Sequence, residues 1–385
     1  MSFILTLNAG SSSVKFGVYD CACEPALLHS GQVENLGPVA VLDIDRSGAT
    51  EIGPADHTAA FHAITDFVVK QMGMAQPAGL GHRIVHGGKS FDAPALLTDD
   101  VMRQLKALEP LAPLHQPHNL ALVSAAGGLF PDVPQLGCFD TAFHVGHPFV
   151  DDTFALPRRF YEKGVRRYGF HGLSYDYITS HLRAAYPELA AGRVVIVHLG
   201  NGASMCAVKD GQSIGSTMGF SALDGLPMGT RCGQLDPGVL LYLMDLGFSR
   251  EAITHILYKE SGLKGMSGIS HDMRTLLASD DPKADEAISY YITRIRREIG
   301  AMSVILGGLD AVVFCGGIGE NAAPIRAGVL EGLEFLGLSL AAENNAANAT
   351  EIGNGPVRAL VIPTDEERII ARAVAAHLSA SRIDK

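Results

Sequence analysis

The chain has 385 residues, of which 47% are hydrophobic, enough to fill about two domain-sized cores and too many for a disordered chain. Forty-one acidic side chains against thirty basic ones give a formal net charge of -11, so the surface as a whole repels a polyanion, and small anions are expected as partners in place of nucleic acid. Six cysteines without a CxxC pair (Cys21, Cys23, Cys138, Cys206, Cys232 and Cys315) indicate a reducing, cytoplasmic compartment. The N-terminus lacks a basic n-region and a long apolar h-region, so no export is expected. The greasiest stretch, Ala301 to Ile318, is broken by Gly307, Gly308 and Asp310; it reads as a buried helix followed by a buried strand, with no membrane partner.

Taken in order, the chain opens with a hairpin signal. Ile4, Leu5 and Leu7 form a short apolar strand, and Val14, Phe16 and Val18 alternate with Lys15, Gly17 and Tyr19 as a second. The link Asn8-Ala9-Gly10-Ser11-Ser12-Ser13 can present backbone N–H groups and Ser hydroxyls to one anion, and Lys15 adds a full positive charge close by. Phosphate is the natural guest; a turn that only satisfies its own backbone is the alternative at this point. A polar stretch from Glu24 to His57 holds strand-sized pieces such as Val39 to Ile44, and helical spacing of Phe61, Ile64, Thr65 and Val68 predicts a helix over Thr58 to Met72.

Gly79 to Gly88 holds Arg83 between His82 and His86 in an apolar, β-branched run. A guanidinium there needs a planar anionic partner, either a ligand or one of the protein's own carboxylates. Pro110 to His118 is a Pro-punctuated loop into a helix that starts near Pro117 and ends at Gly127-Gly128, with Leu114 as packing or pocket wall. The strand Gln135 to Phe139 runs out into Asp140. Functional carboxylates collect at such strand ends, although an Asp before Thr also serves as a cap.

In the second half, Arg158 and Arg159 read as solvated surface, whereas His171, between Phe170 and Gly172, sits where a ligand can approach closely. Then the opening pattern returns: a strand Arg193 to Leu199, a tight turn Gly200-Asn201-Gly202-Ala203-Ser204, and a strand Met205 to Val208. Laid over the first hairpin, Gly202 falls on Gly10 and Ser204 on Ser12, so the chain carries two copies of one device, and a nucleotide cleft between two similar domains is expected. Gly225 to Gly238 surrounds Arg231 with glycines, which suits close approach to a ligand or a flexible surface loop. Ser249 starts one helix, and Ile288, Tyr291, Ile292, Ile295, Ile299 and Met302 repeat along another that begins at Pro282; His271 to Arg274 lies on a loop entering a helix between them. The strand Ala311 to Cys315 runs into Gly316-Gly317-Ile318-Gly319-Glu320-Asn321, which admits a phosphate or an adenosine without matching the GxGxxG pattern of a dinucleotide site. After the strand Ala359 to Ile362, Pro363 to Glu367 opens the C-terminal helix, with Glu366 a metal ligand or a helix-start carboxylate.

Seven blocks in this order resemble one family, the acetate kinases: Asn8 to Lys15, Gly81 to Gly88, Phe139 to His144, His198 to Gly202, Met228 to Gly233, Gly316 to Asn321 and Pro363 to Glu367. The resemblance implies an α/β fold of the duplicated actin, Hsp70 and sugar-kinase type (ribonuclease H-like), two domains with a central cleft. Residues 1–141 plus 366–385 would form an N-terminal acyl-substrate and metal-side domain, and 142–365 a C-terminal nucleotide-binding domain. It implies Mg²⁺-dependent, reversible, direct in-line transfer of the γ-phosphoryl group of ATP to acetate, giving acetyl phosphate and ADP, in a homodimer. Mn²⁺ is the alternative metal.

By the same resemblance Asn8 and Glu366 would hold the metal, and Asp140, His171 and Arg231 would be the catalytic set. Arg83 would bind the substrate carboxylate, and Val85, Leu114, Phe170 and Ala222 would line the acyl pocket. Ser12, Lys15, His198, Leu199, Gly200, Asn201, Gly202, Asp272, Met273, Arg274, Gly316, Gly317, Ile318, Gly319 and Glu320 would take the nucleotide. Ala222 stands where many members have proline, which widens the pocket, so a propionate or other short-chain carboxylate kinase is an alternative. An actin-fold ATPase acting as a nucleotide-gated binding protein is another, from a different class. A sugar kinase needs a base for an alcohol and polar groups for a polyol, and is disfavoured.

Overall fold

The computed structural model describes residues 2–10, 12–73 and 76–383; Ser11 of the first link lies outside them. The chain divides into two compact units, Met1–Val145 with Asp365–Lys385, and Gly146–Thr364. The first unit runs on to Val145 because Thr141 Oγ1 accepts the Gly87 N–H at 3.0 Å and the following turn folds back on it, His144 N–H to Thr141 O at 3.1 Å.

In the first unit β1 (Phe3–Ala9), β2 (Val14–Asp20), β3 (Leu27–Glu34), β4 (Gly37–Ile44), β5 (Thr50–Ala55), β6 (Gly79–Ile84), β7 (Ala95–Leu96) and β8 (Gln135–Phe139) form one sheet in the order β5-β4-β3-β2-β1-β6-β8-β7. Strand β1 is buried along its whole length because its two faces meet different layers. Phe3, Leu5 and Leu7 share a core with Phe61, Ile64 and Val68 of α1 (His57–Met72) and with Leu122 and Ala126 of α2 (Gln116–Leu129). Ile4, of the other parity, packs with Ala371, Val374 and Ala375 of the C-terminal helix (Glu366–Ile383). That helix lies close on β6: a Cβ at Gly81 would stand 2.3 Å from Ile370 Cγ2, and one at Gly79 2.6 Å from Val374 Cγ1. Helix α2 passes through the glycine pair expected to end it, since the Phe130 N–H still reaches the Ala126 carbonyl at 2.8 Å.

The second unit repeats the plan. Strands β9 (Arg193–Leu199), β10 (Ala203–Lys209), β11 (Gln212–Ser216), β12 (Ala311–Cys315) and β13 (Arg358–Val361) form a sheet in the order β11-β10-β9-β12-β13. In each unit two antiparallel neighbours lie on one side of a central strand and parallel ones on the other, β3-β2-β1-β6-β8 matching β11-β10-β9-β12-β13. Besides α3 (Gly172–Ala185), the long helix α4 (Pro282–Leu306) packs on β9 to β11 with Tyr291, Ile295, Ile299, Met302 and Leu306 buried at helical spacing. A short helix α5 (Gly316–Asn321) follows β12 at once.

The register corrects the expected overlay of the two hairpins. Ala9 pairs with Val14 and Asn8 with Lys15; Leu199 pairs with Ala203 and His198 with Ser204. Counted from the strand ends, His198 therefore stands in the place of Asn8 and Ser204 in that of Lys15. Gly200, not Gly202, corresponds to Gly10, because the second link is one residue shorter than the first.

Candidate active site

In the first unit β1 and β6 run parallel and are paired only as far as Leu7 and His82, while β6 stays with β8 through Ile84 and Phe139. Asn8, Arg83 and Asp140 thus come together at the C-terminal ends of adjacent strands, where α/β sheets place ligands. Arg83 Nε donates to Asp140 Oδ1 and Oδ2 at 3.0 and 3.1 Å, Nη2 donates to Oδ2 at 2.5 Å, and Nη1 donates to Asn8 Oδ1 at 3.0 Å. These bonds take Nε and one hydrogen on each terminal nitrogen, and a guanidinium carries five. The expected alternatives for Arg83, internal pair or ligand partner, are therefore compatible: Asp140 fixes one edge of the fork, and each terminal nitrogen keeps a second N–H.

Asp140 is 1% exposed. Burial opposes the charge of Arg83, but the carboxylates of Asp140, Glu366 and Glu367 outweigh it and hold the guanidinium protonated. Burial alone pushes His86 down to about 4, and burial outweighs a bond to Gln135 to bring His82 to about 4, so both flanking imidazoles are neutral and add no charge. The start of the C-terminal helix completes the cluster, with Glu366 Oε2 at 3.9 Å from Arg83 Nε and Glu367 Oε1 accepting from Asn8 Nδ2 at 3.3 Å. Burial, followed by the charges of Asp140 and Glu367, pushes the Glu366 carboxyl up to about 7 against the pull of Arg83 and Lys15. Lys15, opposite Asn8 in the hairpin, lies on the same face and is exposed, as is Ser12.

The donor set suits a hard divalent cation. Among the described residues no three His, Cys, Asp or Glu side chains form a closed cage. Mg²⁺ does not need one, since it keeps several waters and binds through one or two carboxylates. Glu366, crowded by two other carboxylates, is a group that such a cation would relieve of its proton.

In the second unit His171 begins α3 in the left-handed region, φ 58°, and stacks on His198 with ring centroids 4.3 Å apart. Its Nδ1 meets Ser204 Oγ at 2.8 Å, and Ser204 Oγ also bonds Tyr175 OH. His198 Nδ1 meets Ser174 Oγ at 2.8 Å, and Ser174 Oγ accepts from Thr364 Oγ1 at 2.9 Å. Gly202 stands beneath the site: a Cβ there would lie 3.1 Å from His171 Nε2 and 3.9 Å from Arg231 Nη1. Arg231 Nη1 donates to the Ala222 carbonyl at 3.1 Å.

The expected nucleotide segments converge on the same turn. A Cβ at Gly200 would be 3.9 Å from Gly317 N, and one at Gly229 would be 2.8 Å from Asn201 Oδ1 and 3.3 Å from His271 Cβ. Glu320 turns inward, its Oε1 accepting the N–H groups of Gly316 at 2.9 Å and Thr364 at 3.1 Å. Asp272 caps the helix Met273–Leu277 and pairs with the exposed Arg274 at 2.6 Å. Leu199 and Met273 are buried, while Ile318 lies on α5 between Gly317 and Gly319.

Of the four expected pocket walls, Val85 and Leu114 belong to the first unit and Phe170 and Ala222 to the second; Val85 and Phe170 are buried and the other two half-buried. Sequence reasoning missed Gln116 and Asn119 on α2, Ser174 and Tyr175 on α3, and Glu367. The signal was there for the first pair: a Gln and an Asn three apart on the first turn of a helix that is otherwise almost wholly apolar.

The acetokinase family model matches residues 3–372. An acetate kinase from Methylocella silvestris is 52% identical over 392 residues, covering 96% of each chain. Among solved structures, a propionate kinase from Francisella tularensis superposes with a TM-score of 0.92 at 36% identity, covering 98% of this chain and 100% of its own. The Porphyromonas gingivalis acetate kinase does so with a TM-score of 0.88 at 35% identity, with the same coverage. Matched along nearly all its length in sequence and in fold, the chain belongs to the acetokinase family.

Proposed function

We propose that this protein is an ATP:acetate phosphotransferase, forming acetyl phosphate and ADP reversibly. The observation that carries the reading is the Arg83 fork, locked on one edge by Asp140 and held at Nη1 by Asn8, two residues from the buried Val85. It is a pre-oriented cation with an apolar neighbour, which suits a small carboxylate with a short alkyl group.

Acetate is already ionised near neutral pH, so the reaction needs no general base. One carboxylate oxygen attacks the γ-phosphorus in line, the bond from that phosphorus to the β,γ-bridging oxygen breaks, and its electron pair leaves with ADP. Catalysis then rests on position and on neutralising the charge spread over the equatorial oxygens. Arg83 holds the acetate through its terminal N–H groups. Asp140, engaged by Arg83 on both oxygens, orients that guanidinium and is not a base. The Arg231 guanidinium and His171 Nε2, which flank Gly202, donate to the transferring phosphoryl group.

The turn Gly200 to Gly202, Asp272 to Arg274 and Gly316 to Glu320 take the nucleotide, with Ser12 and Lys15 serving its phosphates from the first hairpin. Asn8 and Glu366 would hold Mg²⁺, with Mn²⁺ as the alternative, which neutralises phosphate charge when bound. Val85, Leu114, Phe170 and Ala222 favour a short acyl group; since one methylene discriminates by only about 1 to 3 kcal/mol, propionate is expected as a slower substrate.

Two further points support a cytoplasmic homodimer. The six cysteines include no CxxC pair, and helix Pro237–Asp245 buries none of its residues while exposing Leu241, Tyr242 and Met244. Among the described residues no helix is long and apolar enough to cross a membrane.

The test is a coupled assay for ADP with acetate, propionate and butyrate, with acyl phosphate trapped by hydroxylamine. Acetyl hydroxamate that accumulates with ATP, Mg²⁺ and acetate is the expected result. ATP hydrolysis without hydroxamate would overturn the reading in favour of a nucleotide-gated binding protein.

A further inference from the structure

We infer that Asn119 is a positioning residue that sets the spacing between Asn8 and Arg83, an inference that rests on the kinase reading above. The two units differ where their central parallel strands end. In the second, β9 and β12 are paired to His198 and Cys315, and the backbone then closes: a Cβ on Gly316 would lie 2.7 Å from the Leu199 carbonyl oxygen. By the strand register Arg83 stands in the place of Cys315. In the first unit, however, the pairing of β1 with β6 stops a residue sooner, after Leu7 and His82.

Beyond that point the Ala9 carbonyl and the Val85 N–H have left the ladder, and both need partners. The side-chain amide of Asn119 bridges them. Its Nδ2 donates to Ala9 O at 2.9 Å and its Oδ1 accepts from Val85 N at 3.0 Å. One partner is only an acceptor and the other only a donor, so the amide has a single orientation. Asn119 is 2% exposed, and one turn earlier Gln116, fully buried, bonds both the N–H and the carbonyl of His86 at 3.1 and 2.9 Å. The buried start of α2 thereby acts as a rung between two diverging strands. Asn8 and Arg83, which project from the gap, each lie within two residues of a bond made by Asn119.

Asn119 bonds the backbone of Ala9 and Val85, and acts on the site through Asn8, Arg83 and Val85. Removing the rung lets the strand ends drift while leaving the second unit's nucleotide residues in place. The test compares wild type with Asn119→Asp, which keeps the acceptor for Val85 and replaces the donor to Ala9 by an oxygen, and with Asn119→Leu, which keeps the volume and loses both bonds. A third variant, Val123→Ala, removes a buried side chain from the same helix, packed with Ile84 and Phe139 at the strand ends, and keeps both bonds of Asn119.

In folded Asn119 variants kcat/KM for acetate is expected to fall by at least about tenfold, since displacements near 1 Å can cost about a hundredfold. The dissociation constant of ADP should stay within about twofold, and Val123→Ala should lose thermal stability without that acetate-specific loss. Unchanged acetate kinetics in either folded Asn119 variant, or an equal loss in Val123→Ala, overturns the inference while leaving the kinase reading intact. A wild type that forms no acetyl phosphate overturns the kinase reading itself. Should neither Asn119 variant fold, amide exchange in wild type decides: Val85 N–H is expected to be protected, and free exchange there overturns the role.

Discussion

Glu366 offers the sharpest test of the cluster at the head of the C-terminal helix. A helix N-terminus ordinarily favours a carboxylate, yet burial and the neighbouring charges of Asp140 and Glu367 raise this group from 4.5 to about 7. Between those values the folded chain holds a proton that the unfolded chain has lost. Stability from this group is therefore fully present below pH 4.5 and is lost as pH rises through 7. The difference between 4.5 and about 7, at about 1.4 kcal/mol per tenfold in proton affinity, amounts to about 3 kcal/mol. Glu366→Gln, which cannot ionise, escapes the loss. In metal-free buffer the variant should therefore gain stability relative to wild type by about 3 kcal/mol between pH 4.5 and pH 8, most of it by pH 7. Urea denaturation at half-unit steps of pH measures it. On the proposal that Glu366 holds Mg²⁺, the metal would displace the same proton, so wild-type affinity for Mg²⁺ should fall about tenfold from pH 8 to pH 6. A stability difference that does not change with pH would refute the account of the cluster.

Three further outcomes follow from the same geometry. Arg231→Ala should bind ATP with near-native affinity by calorimetry while turnover falls about a hundredfold or more; intact phosphoryl transfer would remove Arg231 from the mechanism. Asp140→Asn keeps the shape of the Arg83 partner and removes its charge, so turnover should collapse and thermal denaturation should show a loss of about 3 kcal/mol, whereas unchanged rate and unchanged Mg²⁺ affinity would deny Asp140 any role in orienting Arg83. Gly81→Ala would place a methyl 2.3 Å from Ile370 Cγ2; a cost of about 1 to 3 kcal/mol in denaturant and a raised KM for acetate are expected as the helix carrying Glu366 is pushed off β6.

How much of this was legible in the chain depends on the range of the interaction. The two hairpins and the strands at Gln135 to Phe139 and Ala311 to Cys315 were readable because period and punctuation are local. Arg83 and Asp140 could be singled out separately, 57 positions apart, but nothing in the sequence joined them, since the parallel pairing of β6 with β8 is what brings them together. The end of α2 was misplaced because Gly127-Gly128 looks like a stop; inside a packed helix its cost of about 1 kcal/mol per glycine is easily outweighed.

The overlay of the two hairpins failed for a more instructive reason. Matching Gly202 to Gly10 assumed that like residues hold like places, yet pairing fixes place by counting from the strand ends, and the second link is shorter by one. Once the register is right, the duplication explains why the halves carry different chemistry at equivalent points. Where one unit has Cys315 followed by a glycine, the strands close and the backbone itself comes forward, as a phosphate or adenosine requires. Where the other has Arg83 followed by Ile84, the pairing stops after Leu7 and His82, and the opening is spanned by an amide from a helix 30 or more residues away. A glycine at position 84 would remove the side chain that fills the core there. The first unit therefore spans its strand ends with a side chain where the second unit closes without one, and a bridge supplied from a distant helix is the physical reason Asn119 was invisible to motif reading.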